Sequence, residues 1–180
     1  MYKRQRVLDG CVCVFDAQKG VEAQSETVWR QANKYNVPRM VFVNKMDVVG
    51  ANYANVVKEV RERLKGNPVS LIIPIGSGSI KDSSMPFKGI IDLIEMKALY
   101  FDPTDKGRTI NVEAIPDEQI DEAWDYRSKL LDTITLADES LSDDALMEQD
   151  DQVMRVPAEK IREIIRKLTL SRDIQPVLCG

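Results

Sequence analysis

Short apolar runs that leave no polar face, each separated from the next by a stretch of helical periodicity, restrict this chain to a narrow class of folds. The run RMVFV at residues 39–43 is apolar at alternate and intervening positions alike. A strand of that kind must be covered on both sides, as in a parallel sheet flanked by helices. The same texture occurs in CVCVF at 11–15 and VSLIIPI at 69–75. Between the first two runs, VEAQSETVWRQANKY places Val21, Val28, Ala32 and Tyr35 near one helical face, and Asn36, Val37 and Pro38 end it. Between the second and third, ANYANVVKEVRERLKGNP carries Tyr53, Val56, Val57, Val60 and Leu64 as a buried stripe and stops at Gly66, Asn67 and Pro68. Strand–helix–strand–helix–strand with short crossovers predicts a parallel α/β sheet.

Beyond residue 75 the pattern changes. GSGSIKDSSMP is a polar loop, and GIIDLIEMKALYFD and RTINVEAI predict two antiparallel strands around the turn DPTDKG. A long helix is expected from residue 117, with Ile120, Trp124, Arg127, Leu131 and Ile134 on its core side. The acidic stretch LSDDALMEQDDQ reads as a short helix or loop. Another helix follows, with Pro157 in its first turn and Ile161, Ile164, Ile165 and Leu168 facing inward. IQPVLCG then returns to buried-strand texture. The organisation expected is a sheet core over 1–76, an inserted α+β unit over 77–171, and a last core strand over 172–180. RVLDG at 6–10 reads as a helix end and turn. The start without a cap and the end at Gly180, straight after a strand, lead to the expectation of a piece cut from a larger protein.

Composition excludes several functions. A net charge of −4 argues against a broad electrostatic grip on nucleic acid. The absence of histidine removes the commonest general base and transition-metal ligand. The three cysteines form no C-x-x-C pair, so a zinc site is not expected. Cys11 and Cys13 alternate on one strand face and read as core residues. No apolar run approaches the roughly 20 residues that span a bilayer, and with reduced thiols a cytoplasmic location is expected.

The chemistry concentrates where RMVFV turns polar, at Asn44, Lys45, Met46 and Asp47. In open α/β sheets ligands bind beyond the carboxyl ends of the strands. An Asp carboxylate there can accept two hydrogen bonds from guanine, one from the ring N–H and one from the exocyclic amine; adenine has no such donor pair. The Asn amide can tie the loop and reach the purine, and the Lys stem can lie over the base face. The alternative reading is a polar strand end, with Asp47 opening the next loop. The phosphate half of a nucleotide site is missing: neither G-x-x-x-x-G-K-[ST] nor G-x-G-x-x-G occurs. The D-x-x-G spacing of Asp47 and Gly50 overlaps the base-reading motif and reads as coincidence.

Across RVLDGCVCVFDAQKGVEAQSETVWRQANKYNVPRMVFVNKMD, and on through NPVSLIIPIG, FKGIIDLIEMKAL and QPVLCG, the chain resembles the GTP-binding domain of the bacterial elongation factor G family. The resemblance implies a P-loop GTPase-like, mostly parallel sheet, truncated at its N-terminus, with an α+β insert. It implies guanine contacts at Asn44, Lys45 and Asp47, with Cys179 and Gly180 opening a further guanine-contacting loop. It implies GTP or GDP as ligand, with Mg²⁺ in the intact parent, and the loss of both from a piece without phosphate loop or switches. The parent's partners are the ribosome and its stalk protein, which the insert faces; neither membrane nor sequence-specific nucleic acid is implied. Alternatives are the release-factor-recycling GTPase, the ribosome protection proteins, and a non-enzymatic stalk-interaction module. In the last, Asp143, Asp144, Glu148, Asp150 and Asp151 would meet a basic partner, or simply form a solvated face.

Overall fold

The computed structural model describes residues 8–79, 81, 83–105 and 107–180. The helix end expected before Leu8 lies outside the described residues. The chain forms two four-stranded sheets. The first is parallel, in the order β1 (Cys11–Asp16), β2 (Arg39–Asn44), β8 (Gln175–Cys179), β3 (Pro68–Ser70). The second is antiparallel, in the order β4 (Ile72–Ile75), β5 (Gly89–Asp92), β6 (Lys97–Phe101), β7 (Ile110–Glu113). Helices α1 (Ala23–Lys34) and α2 (Tyr53–Glu62) cross over between parallel strands. Helices α3 (Asp117–Thr135), α4 (Ser142–Asp151) and α5 (Ala158–Ser171) lead from β7 to β8.

The last strand enters between β2 and β3, so the sheet closes only when residue 175 and beyond arrive. Val41, Val43, Val177 and Cys179 are buried and in register across β2 and β8. The opposite face is less complete than the apolar pattern implies. Val12 and Val14 of the edge strand β1 are each 59% exposed there; on the Val41 face of β1, Cys11 and Cys13 are only half-buried, Cys13 at the margin of the core. Val28, expected on the inner face of α1, is also exposed; Trp29 and Ala32 take the buried positions. The Arg39 guanidinium lies 4.5 Å from the Trp29 ring and donates to the Trp29 carbonyl, which sets the rotation of the helix. α2 follows its pattern at Tyr53, Val56, Val60 and Leu64, which are buried, while Val57 is half-buried.

The run VSLIIPI is not one strand but two in different sheets. The Leu71 N–H donates to Val177 O of the parallel sheet at 3.0 Å, and the Leu71 carbonyl accepts from Leu93 N–H beside β5 at 3.0 Å. One residue satisfies both sheets, and the chain changes partners there. The expected pair of antiparallel strands becomes three. GIIDLIEMKALYF folds as the β5–β6 hairpin, where Asp92 Oδ1 accepts from the Ile94 and Glu95 N–H groups and Met96 takes a φ of 49°. Asp102 and Asp105 organise the following turn before β7.

The helical part differs from its pattern on α3 and on α4. On α3, Arg127, Leu131 and Ile134 are buried as expected, but Gln119, Ala123 and Leu130 complete the stripe, with Ile120 and Trp124 only half-buried. Glu148 belongs to no acidic surface. It is fully buried on α4, paired with Arg127, and its Oε2 accepts the Arg155 and Val156 N–H groups at 2.8 Å each. Arg127 also donates to the carbonyls of Leu93 and Ile94 at 2.5 and 2.9 Å. This network joins α3, α4, the β5–β6 turn and the strap after α4. A charge so buried is tolerated because it is both paired and hydrogen-bonded.

Candidate functional site

The residues expected to read a base converge at the carboxyl ends of β1, β2 and β8. Strand alternation along β2 buries Arg39, Val41 and Val43 and turns Asn44 outward. Continued alternation would bury residue 45. Lys45 instead takes a left-handed φ of 67°, which shifts the phase. Asn44, Lys45 and Asp47 are therefore exposed together, and Met46 enters the core.

Backbone bonds clamp this loop from three sides. The Met46 N–H donates to Gly180 O at 3.1 Å, and the Met46 carbonyl accepts from Gly78 N–H at 2.8 Å. The Gly180 N–H donates to Val43 O at 3.0 Å. On the β1 side, Ala17 N–H donates to Asn44 O, and Asn52 N–H donates to Ala17 O, each at 2.9 Å. Asn52 then caps α2 by accepting the Asn55 N–H. Gly76 shapes the supporting loop: its φ is 74°, and a Cβ there would lie 2.2 Å from the Pro86 carbonyl oxygen.

The five sequence-predicted residues are thus brought to one end of the sheet, in different roles. Among the described residues, the side chains of Asn44 and Asp47 have no hydrogen-bond or ion-pair partner and stand free at the rim. Cys179 is buried opposite Val43, and burial pushes its thiol up to about 12. Its side chain is core, so only its backbone is available at the rim. Gly180 lies against Phe42, where a Cβ would come within 3.1 Å of the ring.

The Lys45 ammonium is anchored. Its Nζ donates to Asp16 Oδ2 at 2.8 Å. That hydrogen bond holds the Asp16 carboxyl below its usual value and raises Lys45 above its own. Sequence reasoning did not single out Asp16. Its signal was available: Asp16 ends the apolar run of β1 as Asn44 ends that of β2, and the two are register partners.

The described residues do not fit a resident Mg²⁺. They contain no cluster of three or more acidic or thiol ligands, and the carboxylate beside the loop, that of Asp16, is engaged by Lys45. No helix among them is long and apolar enough to cross a membrane.

In a parallel sheet with helical crossovers, ligands bind beyond the carboxyl ends of the strands, and the Asn44 to Asp47 loop stands at that end here. The chain belongs to the family of the elongation factor Tu GTP binding domain, whose family model matches residues 1–179. It is 45% identical over 175 residues to elongation factor G of Salinibacter ruber (strain DSM 13855 / M31), a match covering 97% of this chain and 23% of that protein. The chain thus spans about a quarter of that relative's length. A crystal structure of a protein from Thermus thermophilus superposes with a TM-score of 0.77 over 99% of this chain and 24% of the other, at 21% identity. That likeness concerns the fold alone.

Proposed function

We propose that this chain supplies the base-reading part of a ribosomal translocase of the elongation factor G type, binding GTP and GDP through Asn44, Lys45 and Asp47. The observation that carries the reading is the clamped loop between the ends of β1 and β8, with the Asn44 and Asp47 side chains uncommitted at its rim. In this reading Asp47 accepts the ring N–H and exocyclic amine of guanine. Asn44 bonds the purine edge, and the Lys45 stem lies against its face. The backbone at Cys179 and Gly180 closes the far side, since Gly180 is already bonded to Val43 and Met46. A site that pairs a specific polar edge rejects an analogue lacking it on the order of 10⁴-fold.

The 180 residues contain no phosphate-cradling glycine loop, so GTP hydrolysis needs groups outside them. The Mg²⁺ that accompanies GTP would come with those groups and supply charge neutralisation at the phosphates. The parent works on the ribosome in the cytoplasm, in contact with the stalk protein through the unit at about 77–171. In this reading the GTPase core comprises 1–76 and 172–180, with its β4 residues pairing into the sheet of the inserted unit. The 45% identity to an elongation factor G over nearly the whole chain supports this reading.

The test is Asp47→Asn, in a version of the chain extended to the length of the elongation factor G relative. Asn places a donor where the carboxylate stood, so preference is expected to move from guanine to xanthine nucleotides. Nucleotide choice that stays unchanged would remove Asp47 from the site.

A further inference from the structure

We infer that Asp16 is a positioning residue for base recognition: its carboxylate holds the Lys45 ammonium, so that the lysine stem stands as a ready wall for the purine face. The inference rests on the guanine-binding reading of the Asn44 to Asp47 loop, and adds to it a residue from a different strand.

The geometry is specific. Asp16 is the last residue of β1, and its Cα pairs with that of Asn44. Asp16 Oδ1 is occupied by the N–H groups of Gln18 and Lys19, at 3.0 and 3.3 Å. Its own carbonyl accepts from Gly20 N–H at 2.9 Å. These bonds fix the carboxylate and leave Oδ2 directed at one partner, the Lys45 Nζ at 2.8 Å. The Asp16 side chain is 17% exposed and that of Lys45 55%, so the anchor lies on the protein side and the long stem at the surface.

The left-handed backbone at Lys45 brings the side chain out at the rim, and the carboxylate then selects one direction for it. An unanchored lysine there would lose its rotamer freedom only when the nucleotide arrived, and binding would be weaker by that cost. Asp47 and Asn44 remain free to pair with the base. One acidic residue orients the wall, and the other reads the edge. The two carboxylates therefore predict different phenotypes: Asp47 governs which base binds, and Asp16 governs how tightly.

The experiment measures GDP, GTP and xanthosine diphosphate affinities in the same extended protein, for Asp16→Ala, Asp16→Asn, Lys45→Ala and the Asp16→Ala/Lys45→Ala pair. Asp16→Asn retains an acceptor for the Gln18 and Lys19 amides and removes the charge, which keeps the test valid should Asp16→Ala disturb the turn. Both Asp16 variants are expected to bind GDP about three- to tenfold more weakly with the guanine-over-xanthine ratio unchanged. The loss should disappear in the Lys45→Ala background. The gap between the unsubstituted protein and Asp16→Asn should narrow at about 1 M salt, where charge pairs are screened. A loss of equal size with and without Lys45 would overturn the inference, as would unchanged affinity in Asp16→Asn. Asp47→Asn is run beside them. A base switch there with no Asp16 effect removes only the positioning role, whereas no switch removes the guanine reading itself.

Discussion

Two ion pairs hold the two halves of this molecule in opposite ways. Lys45 and Asp16 meet at the rim of the parallel sheet, with more than half of the lysine side chain in water. Arg127 and Glu148 meet with no exposure at all, in the unit between β7 and β8. An exposed pair adds little to stability and is screened by salt; it can order a side chain without committing the fold to it. A buried pair sits where an unpartnered charge is intolerable. Every carbonyl and amide it engages, at Leu93, Ile94, Arg155 and Val156, becomes tied to the presence of both charges. The same kind of contact thus orders one side chain at the rim of the sheet and holds architecture together at the other end of the chain.

The contrast is broken most directly at Glu148. Glu148→Ala leaves Arg127 charged and unpaired in the core, and a loss of about 3–5 kcal/mol is expected, read from denaturant unfolding. A loss below about 1 kcal/mol would place this pair in the same class as the surface one. Next in size is Met46→Ala. Met46 is fully buried beneath the Asn44 to Asp47 loop, and truncation is expected to cost about 2–5 kcal/mol. Because its backbone joins Gly180 to Gly78, nucleotide affinity should fall with stability. Retained affinity in a destabilised protein would show that the loop is clamped by backbone bonds alone.

The smallest effect, and the sharpest test of the surface pair, is its pH dependence. The folded-state value of Asp16 is depressed below 3.8, so its contribution is present above that value and is lost as pH falls through the lower folded one. Lys45 is raised above 10.5, so its contribution is present below that value and is lost as pH climbs through the higher folded one. The pair is expected to be intact between these limits and indifferent to pH near neutrality. A carboxyl NMR titration that finds Asp16 at or above 3.8 would show that the contact with Lys45 does not persist in solution.

Much of this could be read from local pattern. Two-sided apolar runs such as RMVFV announce a parallel sheet because each residue's burial follows from its own strand. The stripes of α2 and α5 follow from helical spacing, and the polar letters after β2 mark the candidate site because strand ends are where such sheets bind. The legible part of the candidate site was Asn44, Lys45 and Asp47, three near neighbours in one loop.

Other features depended on partners far along the chain. VSLIIPI looks like one strand because nothing in its composition marks Leu71 as the point where hydrogen bonding passes from Val177 to Leu93. Glu148 sits among Asp144, Asp150 and Asp151 and looks like its neighbours; only Arg127, on another helix, removes it from solvent. Val28 and Trp29 compete for the inner face of α1, and the stacking of Arg39 decides between them. Asp16 and Lys45 are 29 residues apart and meet only because β1 and β2 pair in register. Periodicity and turn chemistry are local and survive in the sequence as written. Ion pairs, strand partners and burial at an edge are set by which segments meet, and only the folded chain decides that.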